Sequence, residues 1–169
     1  MERRNALKSM AMLIGGAVAL PEWANAWSTN SITAKNWLRP NLASVLSEAV
    51  ETIIPKTNTP GAKDLGLDTF VQKMVADCYS KEVQSAFAKG IGQIDSVAQQ
   101  KYSKPFVQLD TPQRIELLKG FESGAETKDF YGLLKGLTVR GYLNSEYVMT
   151  NITHYEMVPG RYHGCVKVK

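Results

Sequence analysis

Apolar positions recur at three- and four-residue steps along most of this chain. Leu42, Val45, Leu46, Ala49, Val50, Ile53 and Ile54 are interleaved with Ser44, Ser47, Glu48 and Glu51. That spacing lays one apolar stripe along an amphipathic helix from Asn41 to Ile54. Pro55 lacks an amide hydrogen and ends it. Residues 55–61, Pro-Lys-Thr-Asn-Thr-Pro-Gly, are turn formers without period. The helical pattern resumes from Leu65 to Phe87, through Leu67, Phe70, Val71, Met74, Val75, Cys78, Tyr79 and Val83, with Ser80 as a candidate restart. Gly90, Ile91, Gly92 and Ile94 lead into a polar stretch reaching Lys104. Thr111 followed by Pro112 reads as a cap and first turn, continued by Ile115, Leu117, Leu118 and Phe121. A further helix runs from about Thr127 through Tyr131, Leu134 and Leu137 toward Leu143. No alternating run long enough for a strand occurs before the last ten positions. The expected fold is all-α, a small irregular bundle of about five helices with an extended aromatic C-terminal tail.

The first 26 residues follow another plan. Arg3 and Arg4 precede an apolar run of eleven residues from Met10 to Leu20, and Ala24-Asn25-Ala26 then supplies a small-x-small cleavage site. Leu7 and Lys8 stand where a twin-arginine signal carries its Leu-Lys pair, although Ala6 occupies the position that usually holds Phe. The run is about half of what a spanning helix needs. The expected organisation is a cleaved twin-arginine signal at 1–26, with cleavage after Ala26, a polar linker or arm at 27–40, and one helical domain at 41–169. Export by this route carries chains that are already folded, with the periplasm as destination.

Composition narrows the function by exclusion. Hydrophobic residues make up 44% of the 169 positions and charged ones 21%, so the chain has enough apolar matter to build a core and is not a disordered tail. The net charge of +4 is spread out, which does not point to nucleic acid. Gly90-Ile91-Gly92 lacks the third glycine and the preceding strand of a dinucleotide fingerprint, and no phosphate loop or Cys-x-x-Cys-His haem motif is present. His154, Glu156, His163 and Cys165 fit no compact metal-ligand spacing. Neither Cys78 nor Cys165 has the local context of an activated nucleophile. No catalytic, cofactor-binding or metal residue is expected in this chain.

The last 28 residues hold four of the seven tyrosines, Tyr142, Tyr147, Tyr155 and Tyr162, punctuated by Pro159, Gly160 and Gly164. Such a tail either wraps its own bundle or docks on another chain, and tyrosine favours interface cores. Candidate interface residues are Tyr142, Tyr147, Tyr155, Arg161 and Tyr162, together with Pro55, Thr57, Pro60 and Gly61 of a turn with no obvious packing role in the bundle. In an oxidising compartment free thiols tend not to persist. Cys78 and Cys165 are therefore a candidate disulfide pinning the tail. The alternatives are a buried Cys78 acting as a small hydrophobe, with Cys165 free or bonded to a partner. Asn151-Ile152-Thr153 matches a glycosylation acceptor, but a twin-arginine signal implies bacterial-type export, where that match carries no weight.

Three stretches together carry a resemblance. Ile53-Ile54-Pro55-Lys56-Thr57-Asn58-Thr59-Pro60-Gly61-Ala62 with Leu65-Gly66-Leu67 and Phe70, then Gly141-Tyr142-Leu143-Asn144-Ser145-Glu146, then Tyr155 to Tyr162, resemble the gluconate 2-dehydrogenase subunit 3 family. The resemblance implies a small subunit without a cofactor, paired with a large FAD-dependent subunit of the glucose–methanol–choline oxidoreductase type. It also implies a multihaem cytochrome c as a third, haem-carrying subunit that ties the complex to the membrane. The small subunit would carry the signal read by the twin-arginine translocase and support folding of the flavoprotein. Gluconate, glucose, lactose or another glycoside are all compatible substrates of the partner. The rival expectation is a stand-alone periplasmic helical binding or chaperone-like protein.

Overall fold

The computed structural model describes residues 37–156, 158 and 160. Six helices occur among them: α1 (Pro40–Ile53), α2 (Leu67–Cys78), α3 (Lys81–Tyr102), α4 (Thr111–Ser123), α5 (Lys128–Leu143) and α6 (Glu146–Asn151). A single 3-10 turn, Phe106–Gln108, lies between α3 and α4. No strand occurs among the described residues. The all-α expectation holds, with one short helix more than the periodicity suggested.

Helix α1 is the hub. It touches α2, α3, α4, α5 and the 3-10 turn, and Leu46, Ala49 and Val50 on its stripe are fully buried. Around it, Val71 and Val75 of α2, Phe87, Ile91 and Ile94 of α3, and Leu134 of α5 close the core. Pro40 sits in the first turn of α1, where a missing amide costs nothing. The helix stops at Ile53, two residues before Pro55, because the residue preceding a proline is driven out of helical geometry. Trp37 and Leu38, at the end of the expected arm, pack on the bundle. Leu38 is buried, and the Trp37 indole N–H donates to the Gln72 carbonyl at 3.1 Å.

Two local readings are corrected. The polar stretch expected after Gly92 is the second half of α3, which runs unbroken through Gly90 and Gly92 to Tyr102. Ile91, Ile94 and Ala98 keep one buried face along it, and that burial outweighs the poor helix propensity of glycine. The cap of α4 is Asp110, one residue earlier than expected. Its N–H donates to the Gln113 side chain at 3.3 Å in a capping box, and Thr111 and Pro112 form the first turn. The restart near Ser80 is where the sequence placed it, since α2 ends at Cys78 and Ser80 precedes α3.

Candidate partner-binding site

The connection between α1 and α2 is the longest link between helices among the described residues, thirteen residues from 54 to 66. It is built around the Glu51 carboxylate at the end of α1. One oxygen accepts from the Lys56 N–H at 3.0 Å and the other from the Lys63 N–H at 2.9 Å, so both arms of the loop hang on one side chain. Gly61 is buried against that carboxylate. A Cβ there would stand 2.5 Å from Glu51 Oε1 and 2.7 Å from the Lys56 nitrogen, which is why only glycine fits. The Ala62 N–H donates to the Ile54 carbonyl at 3.0 Å and the Ala62 side chain is fully buried. Gly66, at φ 64, turns the chain into α2 through a left-handed conformation that costs glycine little. The tip, 55–58, stays exposed.

Charge on the loop is neutralised locally. Lys56 pairs with Asp64 at 3.0 Å, and Asp64 also accepts from the Gly61 N–H at 3.3 Å. The Lys56 hydrogen bond and that amide hold the Asp64 carboxyl below its usual range. Behind the loop, Glu48 lies one turn before Glu51 and bridges Lys63 of the loop, at 2.5 Å, to Arg114 of α4. Burial pushes the Glu48 carboxyl up, but hydrogen bonds and charge from Lys63 and Arg114 outweigh it and leave it lowered. Arg114 also donates to the Val107 carbonyl at 2.7 Å and lies over the Phe106 ring.

The end of α5 meets this loop. Tyr142 is half-buried against the core, and its hydroxyl donates to Thr59 Oγ1 at 3.3 Å. One residue earlier, Gly141 lets α5 approach α2. A Cβ there would lie 2.7 Å from the Phe70 ring and 3.3 Å from Leu67. Ser145 caps α6, accepting from the Val148 N–H, while its hydroxyl donates to the Tyr142 carbonyl at 2.7 Å. Between these elements lies a groove of about 570 Å³ lined by Leu65, Leu67 and Phe70 on one side and Gly141, Glu146 and Tyr147 on the other. Among the described residues, the four most exposed large apolar side chains follow in the same C-terminal stretch: Leu143, Ile152, Tyr155 and Val158. Two segments some eighty residues apart in the chain thus form one face.

The family model for gluconate 2-dehydrogenase subunit 3 matches residues 41–160, both segments included. The chain belongs to that family. No curated protein and no solved structure matches it.

Within the family match, the predicted interface residues fall into two groups. Pro55 and Thr57 are exposed at the loop tip, Tyr155 is 57% exposed after α6, and Tyr147 lines the groove. Pro60, Gly61 and Tyr142 are built into the fold, so the turn expected to lack a packing role has one, through Glu51, Ala62 and Tyr142. Glu51 itself was not singled out as a site residue by the sequence. Its position three residues after Glu48 on the polar side of α1 resembles any solvated helix face, and only the returning loop shows its use. Arg161, Tyr162, His163 and Cys165 lie outside the described residues, as do Arg3, Arg4, Leu7, Lys8, Ala24 and Ala26 of the expected signal. Cys78 is exposed at the end of α2 and has no disulfide partner among the described residues, so the reading of it as a buried small hydrophobe does not hold, while its candidate pairing with Cys165 falls outside them. His154 is exposed, with Nδ1 2.9 Å from the Thr150 carbonyl oxygen. Among the described residues no group of three His, Cys, Asp or Glu side chains is placed to hold a metal ion, and no helix is long and apolar enough to cross a membrane.

Proposed function

We propose that this chain is the non-catalytic small subunit of an exported FAD-dependent sugar or sugar-acid dehydrogenase. In this reading it carries the export signal for a larger flavoprotein of the glucose–methanol–choline type and supports that partner's folding. The family match over residues 41–160 carries the reading, and the Arg3-Arg4 pair with Leu7-Lys8 adds the export route. The physical logic is that FAD is inserted in the cytoplasm. The flavoprotein must then cross the membrane folded, and one signal serves two chains only if they associate first. A multihaem cytochrome c would take the electrons onward and hold the complex at the periplasmic face of the membrane.

The test replaces Arg3 and Arg4 by lysine in a strain producing both subunits. Dehydrogenase activity and bound flavin are expected to disappear from the periplasm and accumulate in the cytoplasm. Normal periplasmic activity in that strain would refute the escort role. A pull-down of the wild-type chain from periplasm should yield a yellow complex containing a much larger subunit.

A further inference from the structure

We propose that Glu51 is a positioning residue that fixes the loop at 54–66 in the form recognised by the flavoprotein subunit. The proposal rests on the small-subunit reading above and names the surface through which it acts. Connections between helices in a bundle usually take two to eight residues, and structureless links longer than about 12–15 are uncommon and usually either functional or disordered linkers. Here the two-residue links at 79–80 and 144–145 show how short a connection this fold tolerates. The long loop is nevertheless held firmly, by both oxygens of Glu51, by Lys63 on Glu48 and by Tyr142 on Thr59. Holding an exposed segment in one shape costs conformational entropy. That cost is recovered when a partner binds the prearranged shape, because no ordering remains to be done on association.

The chemistry of the tip indicates what it would meet. Lys56 pairs with Asp64 but its side chain stays 68% exposed, so the tip presents one ammonium beside the uncharged side chains of Thr57 and Asn58 and the ring of Pro55. They suit a hydrogen-bonding patch on the partner that can also face one cation, and not a basic one. Glu51 lies beneath the loop, where it would shape the contact without joining it.

The experiment uses the full chain and the flavoprotein that co-purifies with it, identified by its flavin and mass. Two variants are compared with wild type for dissociation constant, amide hydrogen exchange and thermal midpoint. E51Q loses one of its two acceptor oxygens. It should raise exchange at the Lys56 and Lys63 amides at least tenfold, leave α3 and α5 protected, and weaken association at least tenfold. N58R changes only the exposed tip and should weaken association by a similar factor with exchange and midpoint unchanged. If both variants bind as tightly as wild type, the loop is not the recognition surface, and the small-subunit reading stands without it. If E51Q fails to fold, N58R decides alone. A wild-type chain that captures no flavoprotein overturns both.

Discussion

Replacing Gly90 by alanine sets two effects of opposite sign against each other in one helix. Alanine in a helix interior is favoured over glycine by about 1 kcal/mol. At Gly90, however, a Cβ would lie 2.4 Å from Phe130 Cδ2, 2.5 Å from Cγ and 2.8 Å from Cδ1. Carbon contacts settle at about 3.5–4.0 Å, so the ring must retreat by roughly 1 Å. Cγ is among the three atoms, so spinning the ring about its own axis does not clear the clash. The ring is also set edge-on to Phe87, at 5.5 Å between centroids, and to Phe121, at 6.4 Å. Overpacking of this kind costs about 1–3 kcal/mol, and disturbing an aromatic pair adds about 0.5–1.5 kcal/mol. The net expectation is a loss of about 0.5–3.5 kcal/mol. Gly136, exposed on α5 with no atom within 4 Å of its would-be Cβ, is the control. There alanine should stabilise by up to about 1 kcal/mol. Urea unfolding of the chain at 25 °C reads both values, and removing the ring in a G90A/F130A cycle should abolish the penalty. A G90A chain as stable as G136A, or more so, would refute the close approach of α3 to Phe130.

Glu48→Gln should cost about 2 kcal/mol at pH 7, because Arg114 and Lys63 would lose a partly buried partner. The Glu48 carboxyl is lowered in the folded chain from an ordinary value of 4.5, so its stabilisation is full above that value and is lost as pH falls through the folded one. The gap between wild type and E48Q in denaturation midpoints should therefore close in acid, and a gap that is constant from pH 7 to pH 3 would exclude this explanation. Gln84→Ala should cost about 1–2 kcal/mol, since the buried amide donates to the Ala76 and Tyr79 carbonyls, both at 2.9 Å, and closes the end of α2. Equilibrium unfolding checks this, with exchange at the end of α2 rising first.

The helices were legible where local rules and burial agree. The stripe from Leu42 to Ile53 gave α1, Pro55 its end, and the segment around Asp110 and Pro112 the start of α4 to within one residue. Past Gly90-Ile91-Gly92 the sequence shows only a polar stretch, because glycine has poor helix propensity and the buried face at Ile91, Ile94 and Ala98 that holds α3 together is sparse. The candidate site was legible only as two separate stretches. Their meeting depends on long-range pairs, such as Tyr142 with Thr59 and Glu48 with Arg114, which leave no periodic trace in a sequence. Glycine carried more information than its frequency suggests. Gly61 and Gly141 each mark a close approach to a particular side chain, yet by sequence they look like Gly132 and Gly136, which face open space.

The central place of α1 sets a timetable for synthesis. This helix leaves the ribosome before all its partners, and the last of its direct contacts, α5, ends at Leu143, ninety residues after Ile53. At about 5–20 residues per second, its apolar stripe waits roughly 5–18 s for the surface that will cover it. During that interval the nascent chain displays Val45, Leu46, Ala49 and Val50 to whatever is nearby, and neither α2 nor α3 alone surrounds them. The bundle therefore closes only once α5 has emerged.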